Sequence, residues 1–176
     1  MIPRLSAVLL ALGVASLDSS FAQKPADDAT WKAGASSAVI TPQTLMWMAG
    51  YASRKAPAEG VETDLYAKAL VLEDADGGRL ALITADLVSV PRSVRLATAE
   101  AVQKAHGIPP ERLLINVSHT HCGPEMRLWR TWHTDDVERR EREAAEYCAF
   151  LETTFTHLVG EALEKRVAAT TQYVHA

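Results

Sequence analysis

The spacing of apolar positions changes several times along the chain, and each change marks an element. Trp31 to Ile40 (WKAGASSAVI) closes in a short strand-like run that Thr41-Pro42 stops. Leu65 to Leu72 (LYAKALVL) and Arg79 to Thr84 (RLALIT) have strand length and strand composition. Between them Glu73-Asp74-Ala75-Asp76-Gly77-Gly78 reads as a turn in which glycine supplies positive φ, so the pair predicts a hairpin. The spacing then predicts a helix over Val94 to His106, with Ser93 as its N-cap and Gly107 as its terminating glycine. Pro109-Pro110 prevents continuation. Arg112 to Val117 (RLLINV) is an unbroken apolar run, the pattern of a strand buried on both faces.

Strand, helix and strand joined by short connections predict a βαβ unit with parallel strands and a right-handed crossover. The fold class expected is therefore α/β, with a mixed sheet containing at least one parallel βαβ unit. Open α/β sheets bind ligands at the carboxyl ends of their strands. Asp86 follows the first strand of the unit, and His119 and His121 follow the second. Three side chains able to hold a metal or move a proton thus leave one sheet edge.

Asp135 to Arg166 reads as a long charged helix, with Cys148, Leu151, Phe155, Leu158 and Ala162 forming one buried stripe. The run Glu138 to Glu146 alternates in sign and reads as a solvated face. Residues 43–63, with Gly50, Pro57 and Gly60, read as a loop. Its Met46-Trp47-Met48 triplet fits core filler under that loop or an apolar wall facing a substrate. Thr170 to His175 (TTQYVH) has strand character without a local partner, which predicts that this is the N-terminal part of a longer protein.

Composition narrows the class. The chain has 176 residues, 48% apolar, 23% charged and 6% aromatic, with a formal net charge of −4. That is ordinary globular composition, which excludes a disordered tail or a disulfide-dense miniprotein. No Lys/Arg stripe offsets the acidic balance, so a nucleic-acid partner is not expected. Arg4, the apolar run Ala7 to Ala15 and the small-residue site Ser20-Phe21-Ala22 read as a cleaved signal peptide over residues 1–22. The run is about half of the roughly 20 residues that span a bilayer, so no transmembrane span is expected after cleavage. Residues 23–30 form a polar leader, and residues 31–176 the folded part. The destination implied is secreted or periplasmic. There a Cys122–Cys148 disulfide is permitted, though nothing in the spacing requires it.

The chemistry centres on Asn116-Val117-Ser118-His119-Thr120-His121-Cys122-Gly123-Pro124. In extended backbone, residues i and i+2 point the same way, so His119 and His121 can address one site. Neutral imidazole is a common zinc ligand. By itself a His-x-His pair is a weak signal. At the carboxyl end of a strand it points to a metal or catalytic site as readily as to a bland role. Asn116-Val117-Ser118 has the form of a glycosylation acceptor but falls in a strand expected to be buried.

Ser118 to Pro124 resembles the Ser-His-Thr-His-Ser-Gly-Pro signature of the neutral/alkaline non-lysosomal ceramidases. Ala33-Gly34-Ala35, Ile40-Thr41-Pro42, Gly50-Tyr51, Leu65 to Ala69 and Thr84-Ala85-Asp86 fit the family in the same order, so the resemblance runs from about residue 33 to 170. It implies the N-terminal part of a larger ceramidase-like catalytic domain. It also implies a secreted zinc-dependent amidohydrolase that cleaves N-acylsphingosine or a related amide to fatty acid and amine. His119 would then ligate Zn2+, and His121 would face the substrate near the scissile amide. Cys122 stands where the family has serine. No position here matches the family's later ligands (a second histidine, a glutamate and a tyrosine) or its active-site serine. Asp86 is expected to form a strand-end turn or to brace a ligand. Arg127 and Arg130 are candidates to meet a polar group of the substrate. His133 is a weaker metal candidate, while His106 at a helix end and His157 on a helix surface are read as structural. The alternative of a different class is a non-catalytic secreted α/β module that binds a lipid or a protein partner. A third option is a metal-dependent amidase or esterase acting on a non-lipid substrate.

Overall fold

The computed structural model describes residues 30–127 and 136–172. The expected signal peptide and nearly all of the expected leader, together with Arg130, His133 and the last four residues, lie outside that range. The elements are β1 (Trp31–Val39), β2 (Tyr66–Glu73), β3 (Arg79–Ala85), α1 (Arg92–His106), β4 (Leu113–Val117), α2 (Val137–Glu164) and β5 (Val167–Ala169). One five-stranded sheet has the order β4-β3-β2-β1-β5. β1, β2 and β3 are antiparallel neighbours. β3 and β4 are parallel, with Ala81 opposite Leu113 and Ala85 opposite Val117. The expected mixed α/β sheet with its βαβ unit is what forms.

The hairpin turn is held by the Asp74 carboxylate, which accepts from the N–H of Asp76 at 3.0 Å and of Gly78 at 2.7 Å. Gly77 takes the left-handed conformation there, with φ 82°. Helix α1 ends as its sequence predicts: Gly107 has φ 69° and donates to the Gln103 carbonyl. Its start differs. Pro91 (φ −57°, ψ 145°) is the N-cap, and Ser93 lies within the first turn without capping it. Proline already has a helix-compatible φ and no N–H to satisfy, so the chain enters the helix directly after it.

α1 and α2 pack on each other, and α2 lies along β1 and β2. The sheet meets them with small side chains: Ala67, Ala69, Ala81 and Ala85 are buried beside Val71 and Ile83. The approach is closest at Gly34, where a Cβ would collide with the carbonyl oxygen of Ala162. One residue pair along, the Ser36 hydroxyl donates to the Leu158 carbonyl at 2.7 Å. α2 buries Tyr147, Leu151, Phe155, Leu158, Val159 and Ala162, so the predicted stripe is present but wider, and Cys148 is only half-buried at its margin. The Tyr147 hydroxyl donates to the Ile40 carbonyl at 2.6 Å, and burial pushes the phenol far above its ordinary range. Arg140 departs from the expected solvated face. It is buried, with its guanidinium 4.8 Å from the centre of the Trp47 ring, where stacking offsets desolvation.

β4 is not buried on both faces. It is the sheet's edge strand, and Leu114 is 54% exposed. Both helices lie on one side, so the alternate residues of the strands face away from them. Leu70, Leu82 and Leu114 line up across β2, β3 and β4 on that uncovered side. Asn116, expected to be buried, is exposed for the same reason. Of the strand expected at Thr170 to His175, residues 170–172 are not strand and the rest lies outside the described residues. A short strand that the sequence does not predict, Val167–Ala169, pairs antiparallel with β1, Trp31 lying opposite Ala169. The turn after α2 returns the chain directly beside β1, which gives the strand a partner within the described residues.

Glu73, at the end of β2, ties these parts together. Its buried carboxylate pairs with Arg79 at 2.8 Å, Lys32 at 3.3 Å and the Arg166 guanidinium beyond α2. The hydrogen bond from Arg79, helped by Lys32 and Arg166, holds the carboxyl below its usual value of 4.5. A depressed carboxylate pKa stabilises the fold above the unfolded pKa, and the contribution is lost as pH falls through the lower folded value. Glu73→Gln is therefore expected to lower the melting temperature at neutral pH and to flatten its fall below about pH 4.5. Parallel melting curves for both proteins in acid would show instead that Glu73 carries no such linkage.

Candidate functional site

The site grows from the carboxyl ends of β3 and β4, which parallel pairing sets side by side. Past β4, the Ser118 N–H still donates to the Ala85 carbonyl at 3.1 Å, so the motif leaves the sheet in register. It then turns. His119 has φ 58°, the only positive value at a non-glycine among the described residues. The extended geometry expected for His119 to His121 is thus absent, yet the rings still meet, with centroids 5.3 Å apart at 63°. A left-handed histidine is costly and needs compensation from its surroundings. Here His119 Nδ1 lies 2.8 Å from the Val88 carbonyl, on the segment that leads from β3 to α1.

That contact fixes the protonation pattern. A carbonyl can only accept, so Nδ1 carries the proton and donates it. In neutral imidazole Nε2 is then left with a free lone pair. A backbone carbonyl bracing one nitrogen while the other is free is the usual support of a metal-ligating histidine.

His121 is seated by the loop that precedes β2. Ala49 N–H donates to the Gly123 carbonyl at 2.9 Å and Glu125 N–H to the Trp47 carbonyl at 2.7 Å, with Met48 and Pro124 bridged between them. Residues 47–49 and 123–125 are in effect two short antiparallel segments. The next residue, Gly50, has φ 101°, and a Cβ there would collide with His121 Cγ. Glycine is needed twice, for the backbone angle and for the imidazole that lies on it. Tyr51 meets the other side of the site, 4.8 Å from the His121 ring at 82°. Met46 and Trp47 are buried, as core filler should be. Met48 is half-exposed and lines a cavity of about 820 Å³ with Leu45, Val61, Arg54, Cys122 and Pro124.

The other expected site residues have contacts of their own. Asp86 stays with the sheet: its N–H donates to the Tyr66 carbonyl at 2.9 Å, and its carboxylate accepts from the Tyr66 N–H at 3.0 Å. It extends the β2–β3 ladder, the strand-end role. Arg127 is gripped by buried Glu125 through Nε–Oε1 at 2.7 Å and Nη2–Oε2 at 2.6 Å, and that hydrogen bonding pushes its pKa up. Cys122 and Cys148 are both free thiols, and burial raises that of Cys148. His106 Nε2 lies 3.2 Å from the Thr156 carbonyl, and His157 lies 3.2 Å from Glu161. Among the described residues no group of three or more His, Cys, Asp or Glu is arranged to hold a metal.

Gly50→Ala is expected to push the His121 ring away from His119, abolishing the through-space NMR contact between them. Gly60→Ala, where a Cβ meets nothing within 4 Å, should leave it intact. An unchanged contact in the Gly50 variant would mean that the glycine does not seat the ring.

A family profile described as "Neutral/alkaline non-lysosomal ceramidase, N-terminal" matches residues 31–134. The neutral ceramidase of Drosophila melanogaster is 31% identical over 99 residues, covering 54% of this chain and 14% of that protein. The neutral ceramidase of Pseudomonas aeruginosa is 32% identical over 124 residues, covering 68% of this chain and 17% of that protein. The chain therefore spans about a sixth or less of the curated relatives it matches. The crystal structure of the Pseudomonas aeruginosa enzyme superposes on 80% of this chain and 22% of its own, with a TM-score of 0.66 at 22% identity. A structure titled "Ceramidase complexed with C2" superposes on 79% of this chain and 22% of its own, with a TM-score of 0.65 at 22% identity. The sheet and helices described above are thus a fold already seen in ceramidases.

Proposed function

The chain belongs to the neutral/alkaline non-lysosomal ceramidase family, and on that premise we propose that it forms the histidine-bearing N-terminal part of a secreted, zinc-dependent hydrolase of lipid amides such as N-acylsphingosine. The observation that carries the reading is the His119 Nδ1 contact with the Val88 carbonyl, which leaves Nε2 free beside the His121 ring. The donor set fits one ligand of a zinc ion. A catalytic zinc normally takes three protein ligands. The others would come from the further polypeptide that the much longer relatives possess.

His119 would hold the metal through Nε2, with the Val88 carbonyl fixing the plane and tautomer of the ring. Zinc bound there would polarise the scissile carbonyl and lower the pKa of water towards ~7. His121, one ring away, would donate an N–H to the carbonyl oxygen as it gains negative charge, or carry a proton to the departing nitrogen. The cavity beside Cys122 and Pro124, with an apolar part at Leu45, Met48 and Val61 and charged groups at Lys55, Glu59 and Glu62, offers room for part of an aliphatic chain. No helix among the described residues is long and apolar enough to cross a membrane.

By itself the purified chain is expected to release little or no fluorescent fatty acid from a labelled ceramide. Robust turnover abolished by a chelator would contradict the missing-ligand argument. In the full-length hydrolase carrying this segment, His119→Ala should lose bound zinc together with activity. His121→Ala should keep most of its zinc while its turnover falls by roughly 10²–10³, the usual loss for one oxyanion donor. Equal zinc loss in both variants would refute the division of roles, and full zinc retention in His119→Ala would overturn the site.

A further inference from the structure

His121 is held in part by contacts that the signature motif does not contain. Its ring lies on the Gly50 backbone, against His119 on one side and against Tyr51 on another. Tyr51 is 59% exposed, so the protein core does not pack it in place. What restrains it is Arg54, whose guanidinium sits over the phenol ring 4.9 Å from its centre. Arg54 is itself anchored, because Nη1 donates to the Ala49 carbonyl. The Arg54 N–H also donates to the Tyr51 carbonyl at 3.4 Å, which closes the turn between them. Ala49 in turn is hydrogen-bonded to Gly123, two residues past His121. The contacts form a closed circuit: His121, Tyr51, Arg54, Ala49, Gly123 and back along the chain.

We propose that Tyr51 is a positioning residue, clamped by Arg54, that sets the orientation of the His121 imidazole. The proposal rests on the reading of His121 as the group that faces substrate. A substrate-facing imidazole must present one nitrogen to a defined point, and errors of an ångström cost large factors in rate. Among the described residues no backbone carbonyl braces the His121 ring as that of Val88 braces His119. The edge-to-face contact with Tyr51 supplies the missing restraint, since such aromatic pairs favour T-shaped geometry at this separation. The cation over the phenol ring fixes Tyr51 in turn. Arg54 also lines the 820 Å³ cavity, so whatever enters that cavity touches the residue that holds the clamp. The orientation of His121 is thereby coupled to occupancy of the cavity. The residues responsible lie some seventy positions earlier in the sequence.

The test is NMR of the full chain with ring-labelled histidine, the His121 signal being assigned by its loss in His121→Gln. Tyr51→Phe keeps the ring and should leave the His121 ring signals in place. Tyr51→Leu should remove the ring-current displacement and move them towards the positions of a free histidine. Arg54→Gln should shift them in the same direction by a smaller amount, with circular dichroism unchanged. The signals staying put in a folded Tyr51→Leu chain, or Tyr51→Phe moving them as far as Tyr51→Leu, would overturn the proposal. If Tyr51→Leu fails to fold, a His121 signal unmoved in folded Arg54→Gln overturns it equally. The zinc content of the full-length His119→Ala protein keeps the two claims apart: full retention overturns the metal reading, while the His121 outcome still decides the role of Tyr51.

Discussion

Helix α2 runs so close to β1 that the carbonyl of Ala162 occupies the space where a side chain at position 34 would begin. A 28-residue helix can lie that low only because the sheet beneath it presents glycine, serine and alanines. Everything else follows from this contact. It lets the Ser36 hydroxyl reach Leu158 and brings the Tyr147 hydroxyl to Ile40. It also carries Arg166 to Glu73 and returns the chain beside β1 as β5. With α2 in place, α1 can lean on it, and α1 is the crossover that makes β3 and β4 parallel. A bulky residue in that small-residue face would lift the helix and loosen the unit that presents the histidines.

The site is a consequence of that topology, with one local strain added. Parallel strands end together, so the segment after β3 and the segment after β4 run side by side. This places the Val88 carbonyl where His119 can reach it. The left-handed turn at His119 is costly alone, and the hydrogen bond to Val88 offsets it. His119 is thus braced by the sheet, whereas His121 is braced by a loop. The two histidines differ in mechanical support as well as in position.

Much of this was legible in the sequence. The hairpin, the terminating Gly107, the βαβ unit and the long helix follow from strong local signals: turn residues, a helix-ending glycine and a change of apolar period. The misses share a cause, in that tertiary packing decided them. An unbroken run such as Leu113 to Val117 says that a strand is apolar, not how many of its faces are covered. Arg140 carries a charge, so its pattern reads as solvated, and its burial depends on tertiary partners such as the Trp47 ring and the Glu125 carboxylate. Ser93 has the right chemistry for a cap, but Pro91 acts first. At the site, the motif named the two histidines but not their supports. Val88 contributes only a carbonyl, which every residue has. Gly50 and Tyr51 lie in a loop whose docking depends on pairing with residues 123–125.

The row formed by Leu70, Leu82 and Leu114 bears on how the protein behaves as a material. Water wets one whole side of a sheet that ends in an unpaired edge strand. Apolar surface of that kind is what drives sheets to stack and edges to pair between molecules. Nothing among the described residues screens it. The leucine row lies within the strands and the histidines beyond the strand ends, so polar residues at 70, 82 and 114 would change that surface without replacing any residue that contacts the histidines.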